Sequence, residues 1–354
     1  MNRSFLVVLV GFMAAGISVG NVRAEGNHAN NQDVVLRSLD EYEGRKAEAV
    51  RQVSIPEKTV SGGQLSGESP ESLVKPAAWT KKHTFDGGIE VYRYAYKEIV
   101  QGAFFAGTKG DYTGLFANYT YRPQRAAASL DAYPTMYRFE GRFASGRVDY
   151  TGTGTWDGLK DYMCEARGLI GYDYLPLPSL RVTPYAGLGF RYLNNGLDAI
   201  PARTIDGIDY PSGYDRESRY FYLPLGGEVE KILSGRWTVG MSFEYDLLLR
   251  GEQISHFEDM KDPAGQSLGY DPTTNRQNKG RGLRGAVKFT REFSRNAFYV
   301  EPFIRYWDID DSKPSYMTQG GQKVADPDNP GQFIQGLEPA NTTREIGVKM
   351  GLTF

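Results

Sequence analysis

The stretch Trp237-Thr238-Val239-Gly240-Met241-Ser242-Phe243-Glu244-Tyr245-Asp246-Leu247-Leu248-Leu249 alternates between two kinds of side chain. Its odd positions are all apolar, and its even positions up to 246 are small, polar or acidic. Successive side chains of a β-strand point to opposite faces of a sheet, so this period of two predicts a strand with one apolar and one polar face. Residues 283–290 and 298–307 repeat the pattern. We therefore predict an all-β chain from about residue 84 onward.

The last ten residues carry the same pattern up to a terminal aromatic side chain. The apolar positions of this segment are Ile346, Val348, Met350, Leu352 and Phe354. The segment resembles the C-terminal signal that the barrel-assembly machinery of Gram-negative bacteria reads. That resemblance implies an outer-membrane β-barrel, with the assembly machinery and periplasmic chaperones as partners during export.

The alternating segments number ten, which is even, as single-chain bacterial barrels require. Several connections between them are short, as at 175–180, 231–235 and 292–296, and others are long, as at 194–218, 251–280 and 309–342. Short periplasmic turns and long outer loops explain this difference. The connection 122–134 is the exception, and a short helix or a misplaced strand edge would account for it. We predict a transmembrane antiparallel up-and-down barrel of about ten strands, with twelve as the alternative. The predicted strands are 87–97, 112–122, 135–145, 161–174, 181–193, 219–230, 236–250, 281–291, 297–308 and 343–354.

The composition limits the function classes. The 354 residues include 24 Tyr, 18 Phe and 42 Gly, a mixture that favours strands and tight turns. No run of 18 apolar residues follows the N-terminus, which excludes a bundle of transmembrane helices. The net charge of -2 gives no reason to expect a nucleic-acid partner. One cysteine, Cys164, cannot form an internal disulfide, and with three histidines it leaves little material for a metal site, so we expect no cofactor.

The N-terminal quarter has a different character. Residues 1–24 follow the order of a secretory signal peptide, with Arg3, an apolar stretch over 5–17 and small residues ending at Ala24, after which we expect cleavage. Residues 25–83 are polar, which predicts a flexible periplasmic extension with a short amphipathic helix at 33–53. The barrel would occupy 84–354 in the outer membrane, in contact with its lipid and lipopolysaccharide.

The polar faces of the predicted strands distinguish a barrel from a soluble β-sandwich, which also alternates. They combine acids and bases in nearly equal number with Gly and Tyr, a mixture that suits a lumen. Opposite charges in a narrow lumen are expected to pair. Arg93 and Glu228 are assigned to this polar face. The predicted lumen charge network comprises Arg138, Glu140, Arg142, Glu165, Arg167, Glu244, Asp246, Arg284, Lys288, Glu301, Arg305, Glu345 and Lys349.

Three segments carry a family resemblance: Thr183–Leu193, Gly213–Pro224 and Val300–Ser312. They resemble a group of Gram-negative outer-membrane barrels that includes the Protochlamydia outer membrane proteins. The likeness covers roughly residues 85–354 and does not include the extension. It implies a porin-like barrel.

The expected lumen is narrow and its charges nearly cancel. The sequence therefore favours a narrow or gated porin-like channel with weak charge selectivity. The alternative is a non-conducting structural or surface-binding barrel that acts through its long extracellular loops.

A ten-stranded barrel is also similar to the omptin proteases, which makes an omptin-like protease the second alternative. Such a protease would need an Asp pair facing an Asp-His pair at the outer mouth to activate a water molecule. His256 lies in a predicted outer loop, but Ile254 stands where that resemblance requires Asp. The second outer loop offers no closely spaced Asp pair among Asp149, Asp157 and Asp161. We therefore expect no catalytic residue and no enzyme activity.

Overall fold

The computed structural model describes residues 8–9, 79, 81–123, 135–152, 154–233, 236–327 and 329–354. This part of the chain is all-β and contains no α-helix. No helix in it is long and apolar enough to cross a membrane. Except for residues 8–9, the predicted signal peptide lies outside the described residues, as do the predicted helix at 33–53 and residues 124–134.

Ten long antiparallel strands form a closed barrel in which each strand pairs with its sequence neighbours and the last pairs with the first. This confirms the predicted fold class and a count of ten long strands. Their bounds are β1 (His83–Val100), β2 (Ala103–Tyr121), β3 (Met136–Thr151), β4 (Thr155–Gly171), β5 (Leu180–Asn195), β6 (Arg216–Ile232), β7 (Trp237–Ser255), β8 (Gly280–Glu292), β9 (Ala297–Ile309) and β10 (Ala340–Thr353).

The closing seam joins β10 to β1. Ala340 lies opposite Ile99, and Thr353 lies opposite Asp86. Beyond the strand, the backbone N–H of Phe354 donates to the carbonyl oxygen of Phe85 at 2.9 Å, and the N–H of Phe85 donates back at 3.3 Å. The sheet therefore has no free edge along this seam, where an open sheet would present unpaired backbone groups.

The two ends of the barrel differ. At the end where β1 begins and β10 finishes, the terminal end, the described connection 293–296 is short. The opposite end, the loop end, carries the three long loops 196–215, 256–279 and 310–339. The first two hairpins reach further than predicted at this end, to the pairs Val100–Ala103 and Thr151–Thr155. In the first of them, Gln101 and Gly102 adopt positive φ angles of 50° and 80° and turn the chain within two residues. The first two outer connections are therefore short turns and not loops.

Small elements occupy the longer connections. Two 3-10 helices and a hairpin lie in the first two long loops, and paired two- and three-residue strands lie in the third. The first long loop contains the 3-10 helix Leu197–Ala199 and the hairpin of Arg203–Ile205 with Ile208–Tyr210, and the second contains the 3-10 helix Phe257–Asp259 and the strand Thr273–Gln277, which pairs with β7. The third contains the strands Ser315–Tyr316, Thr318–Gln319, Gln322–Lys323 and Gln335–Leu337. Outside these loops, Tyr174–Leu177 lies at the terminal end, and Val8–Leu9 pairs with Gly336–Leu337.

The outward and inward faces differ sharply in chemistry. Leu115, Phe139, Leu188, Met241 and Phe243 are each more than 60% exposed on the outside, which is the pattern of a surface made for lipid. The inward face buries acids, arginines and tyrosines. The residues of the predicted assembly signal, Ile346, Val348, Met350, Leu352 and Phe354, alternate with inward-facing Glu345, Lys349 and Gly351 on β10.

One predicted face assignment is wrong. Arg93 does not lie in the lumen: its side chain is 60% exposed on the outer surface and pairs with Asp111. Its neighbours Tyr92 and Tyr94 face inward and are buried. The reversal follows from the tyrosines, which fill the narrow interior, while Ile89 and Val91 provide the lipid-facing side of β1.

Candidate functional site: the filled lumen and the loop cap

The lumen is built from inward side chains of all ten strands. All thirteen predicted lumen residues lie on inward faces, and each has an oppositely charged group within 4.0 Å. The sequence could give their faces from the period of two, but it could not give their partners. The pairs form three levels, which we describe from the terminal end to the loop end.

Nearest the terminal end, arginines and lysines pair with acids around the lumen wall. Arg138 pairs with Glu228, and the Nη2 atom of Arg167 lies 2.6 Å from the Oε2 atom of Glu140. The ammonium of Lys349 lies 3.3 Å from Glu301, and that of Lys288 lies 3.8 Å from Asp86. This level surrounds a cavity of about 150 Å³ lined by charges of both signs.

The middle level is centred on Arg142. Its guanidinium lies 2.7 Å from Glu165, 3.0 Å from Glu90 and 3.2 Å from Glu345. Arg305 bridges two of these three acids, with one nitrogen 2.9 Å from Glu90 and another 2.9 Å from Glu345. Every member is almost completely buried, so these charges are screened by each other and not by water.

Arg284 extends this level across the lumen. It donates to both carboxylate oxygens of Glu165, at 2.6 and 3.0 Å, and its Nε atom donates to Asp246 at 2.6 Å. The hydroxyl of Tyr222 also donates to Glu165, at 2.6 Å. Such bidentate, charge-assisted bonds fix the geometry of both partners.

An aromatic layer lies next toward the loop end. The rings of Tyr92 and Tyr112 stack at 5.2 Å, and Tyr222 meets Trp307 edge to face at 5.1 Å. A Cβ atom at Gly189 would lie 2.2 Å from the ring of Tyr222, so the glycine makes room for this ring. Tyr92, Tyr112, Tyr222 and Trp307 are all at most 4% exposed. The layer therefore fills the section of the lumen in which it lies.

At the loop end, Arg216 joins the barrel to the third long loop. It pairs with Glu98 of β1 at 2.7 Å and with Glu338 of the loop. The hydroxyl of Tyr96 donates to both acids at 3.1 Å. Burial raises the pKa of Glu338 to about 7, with the charge of Glu98 acting in the same direction and Arg216 opposing both.

The three long loops pack on one another as a cap, which we define as residues 196–215, 256–279 and 310–339. A hydrophobic cluster of its own holds the cap together, formed by Tyr214, Phe257, Met260, Met317 and Ile334. The side-chain amide of Asn275 donates to the carbonyl oxygens of residues 313 and 336, which ties two loops together. The cap is therefore an ordered structure over the mouth.

The cap also exposes apolar side chains. Ile205 and Ile208 are 45% and 40% exposed in the hairpin of the first long loop. Tyr316 and Phe333 meet edge to face at 6.2 Å, and the ammonium of Lys323 lies 3.6 Å above the Tyr316 ring. Exposed apolar groups on an ordered loop surface are suited to contact with a partner.

Several lumen residues were missed by the sequence reasoning, chiefly Glu90, Glu98, Arg191, Arg216 and Glu338. Glu90 and Glu98 lie on the same face of β1 as its tyrosines, so reading those tyrosines as inward-facing would have found them. Arg191 and Arg216 also lie on inward strand positions. Glu338 lies outside any strand and has no period to identify it.

His256 lies at the loop end, immediately after β7. Its two ring nitrogens contact Glu258 at 2.8 Å and Glu217 at 3.2 Å. Partial burial opposes protonation, but these two carboxylates outweigh it and raise the pKa of His256 above its usual value.

The aspartates weighed for a protease do not join this histidine in a hydrogen bond or ion pair within the described chain. Asp149 accepts the backbone N–H of Gly158, and Asp161 is buried in the lumen, where it accepts bonds from Tyr112 and Asn195. Within the described residues, no group of three His, Cys, Asp or Glu side chains has metal-binding geometry. The absence of enzyme activity stays a prediction.

No protein-family model and no curated protein matches the sequence. Among solved structures, the chain is similar to the outer membrane protease OmpT from Escherichia coli, with 11% identity, 77% of this chain and 96% of that chain covered, and a TM-score of 0.49. It is also similar to OprG from Pseudomonas aeruginosa, with 14% identity, 77% and 93% covered, and a TM-score of 0.27. A third is the translocator domain of the autotransporter NalP from Neisseria meningitidis, with 10% identity, 89% and 97% covered, and a TM-score of 0.32.

These neighbours are β-barrels of Gram-negative outer membranes, but their activities differ, and the likeness distinguishes no function for this chain. The class is defined by the molecule itself: a closed ten-stranded antiparallel β-barrel with an apolar outer face and a charge-filled lumen. The resemblance to the Protochlamydia group stays a prediction.

Proposed function

We propose that the protein is an integral barrel of the Gram-negative outer membrane whose lumen is closed and which acts at the cell surface through its loop cap. The apolar outer face supports insertion in lipid. The short connections of the terminal end fit the periplasmic side, and the cap fits the outside. The closed lumen is supported by three successive levels of buried side chains, which contain Arg142, Trp307 and Arg216 in order toward the loop end.

Planar-bilayer recording tests the closed lumen. We expect no conductance steps from the wild-type barrel. Trp307→Ala should open part of the aromatic layer and give small steps, because an indole at most 1% exposed is replaced by a methyl group. Phe243→Ala on the outer face is the matched control and should stay silent. Steps from the wild type would overturn the closed lumen.

The second candidate is the narrow or gated channel, which the cavity of about 150 Å³ in the lumen favours. In that case the wild type conducts in small steps with weak selectivity. Glu244→Gln and Glu301→Gln should then shift selectivity toward anions, because Arg167 and Lys349 would lose an acid partner.

Labelling of intact cells tests the orientation. In a Cys164→Ser background, a membrane-impermeant maleimide should label Ile205→Cys in the cap. A cysteine at Phe293, in a short connection of the terminal end, should react only after the cells are broken. The reverse result would place the cap in the periplasm and contradict a role at the cell surface.

A further inference from the structure

The outer surface of the first hairpins carries a basic band above the lipid-facing side chains. In one row across the sheet, Arg93 lies opposite Asp111, Asp111 opposite Arg147, and Arg147 opposite Lys160. Arg344 and Lys109 flank Ala95 in the next row, and Lys97 lies two residues beyond Ala95. The band has six cations, all exposed: Arg93, Lys97, Lys109, Arg147, Lys160 and Arg344.

Few acids offset this charge. Asp111 and Asp149 lie in the same rows, and Asp157 is exposed beside them. Among the described residues, the one ion pair in which these six cations take part joins Arg93 to Asp111 at 3.0 Å. Asp149 instead accepts the backbone N–H of Gly158, and Arg147 donates to the carbonyl oxygen of the same residue.

The opposite side of the barrel is different at the same end. There Arg219 lies 2.6 Å from Glu217, Arg250 lies 2.6 Å from Glu252, and Arg276 lies 3.7 Å from Glu252. Each of these arginines contacts a protein carboxylate, with Glu252 shared by Arg250 and Arg276. Five of the six band cations therefore lack the ion pair that each of these three arginines has, among the residues that the structure describes.

The position of the band indicates what neutralises it. Two residues below Arg93 on the same outward face is Val91, and Leu115 and Phe143 are exposed close by. Arg93 thus lies about 7 Å along β1 from the apolar side chain of Val91, and exposed Ile346 is directly opposite it on β10. Outward cations next to an apolar surface suit the level of charged lipid headgroups. It spans five strands, or about 20 Å. The connections above β1–β2 and β3–β4 are short turns, so no long loop follows these strands.

We propose that this band binds the phosphate groups of lipid A, the phosphorylated glycolipid of the outer leaflet. Its charge complements a lipid with more than one phosphate, and arginine forks match phosphate geometry. The acyl chains of such a lipid would lie against Val91, Leu115 and Phe143. This inference relies on insertion in the outer membrane but not on whether the lumen conducts.

Lipid retention tests the proposal. The full-length protein is refolded into phosphatidylcholine vesicles that contain labelled lipid A with its phosphates, chemically dephosphorylated lipid A, or phosphatidylglycerol. The protein is then extracted in mild detergent, and the lipid that stays bound is counted. We expect the wild type to retain phosphorylated lipid A in preference to both others. Equal retention of dephosphorylated lipid A or of phosphatidylglycerol would overturn the proposal.

Two triple variants make the comparison specific. Arg93→Gln/Arg147→Gln/Lys160→Gln removes half of the band, and a loss of about fivefold per charge predicts about 10²-fold weaker retention. The control Arg219→Gln/Arg250→Gln/Arg276→Gln removes the same charge from the other side and should change retention less than about threefold. Equal losses in the two variants would refute a localised site.

The outcomes separate this proposal from the proposed function. A protein that fails to insert in any vesicle would contradict the outer-membrane barrel. An inserted, heat-modifiable protein without preference for phosphorylated lipid A would contradict the band alone. If the triple variant does not fold, the single variants Arg147→Gln and Lys160→Gln give the same test with a smaller change.

Discussion

Removing the arginine at the centre of the lumen should destabilise the barrel strongly. Arg142 is 7% exposed and contacts three carboxylates that are at most 3% exposed. Removing one partner of a buried ion pair typically costs about 3–5 kcal/mol, because the other charge stays buried. In Arg142→Gln, Glu90 and Glu345 still pair with Arg305, and Glu165 still pairs with Arg284. We therefore expect the loss of unfolding free energy to lie near the lower end of this range, at about 3 kcal/mol.

A matched arginine on the outer surface sets the comparison. Arg93 also pairs with an acid on a neighbouring strand, Asp111 at 3.0 Å, but both side chains are more than half exposed. Exposed pairs contribute about 0–1 kcal/mol, so Arg93→Gln should change the free energy of unfolding by less than about 1 kcal/mol. The two variants remove the same side chain and differ chiefly in burial.

Urea unfolding in lipid vesicles, followed by tryptophan fluorescence and by heat-modifiable gel mobility, measures both effects. Arg142→Lys gives an intermediate that keeps the charge but loses the planar fork, and we expect a smaller loss than for Arg142→Gln. The reasoning is refuted if Arg142→Gln and Arg93→Gln unfold at the same urea concentration with equal slopes, since the middle level would then contribute no more than a surface pair.

Three further outcomes follow from the described geometry. Phe354→Ser should reduce the heat-modifiable barrel in outer-membrane fractions far more than Leu65→Ser in the predicted extension, because it removes an apolar group at the closing seam, and equal levels would contradict this. His256→Ala should leave peptide substrates as uncleaved as the wild type does; cleavage lost in the variant would identify a protease. Because the pKa of Glu338 is raised to about 7 with the cap docked, its contribution to docking is full below its ordinary pKa of about 4.5 and falls as pH rises through 7. Glu338→Gln should therefore match the wild-type melting temperature at pH 4 and exceed it at pH 8. A wild type that melts at the higher temperature at pH 8 would contradict this loss of stability with rising pH.

Much of the fold could be predicted because the lipid-facing side imposes one chemistry on every strand. The alternation of β7 and β10 fixes their faces, since outward Met241 and Phe243 contrast with inward Glu244 and Asp246, although β7 extends to Ser255, five residues beyond its predicted end. The faces of strand β1 were predicted wrongly because tyrosine suits both a lumen and a membrane interface. Its rings suit a membrane interface, but here they fill the lumen, and the outward Arg93 is exposed and pairs with Asp111.

The partners within the lumen could not be predicted, because they depend on the register of all ten strands at once. Glu165 of β4 meets Arg142 of the neighbouring β3, but it also meets Arg284 from across the lumen. No local pattern connects residues 119 positions apart in the chain. The cap was beyond sequence reasoning for a similar reason, since Arg216 and Glu338 are brought together by closure of the barrel and not by periodicity.

Filling the lumen with paired charges has a cost in desolvation, but we infer that it specifies which face of each strand points inward. Shifting a strand by one residue exchanges its two faces. On β10 such a slip would move Glu345 and Lys349 into lipid and bring Ile346 and Val348 into the charged interior. A basic side chain on the lipid face costs about 2–4 kcal/mol at the membrane midplane, and every other charge on the strand adds to that penalty. The same slip would also remove Glu345 as the ion-pair partner of Arg142 and Arg305. An apolar lumen would impose no such penalty, because both faces of a strand would then be compatible with lipid. The charges therefore contribute more to the choice of a single register than to the net stability of the barrel.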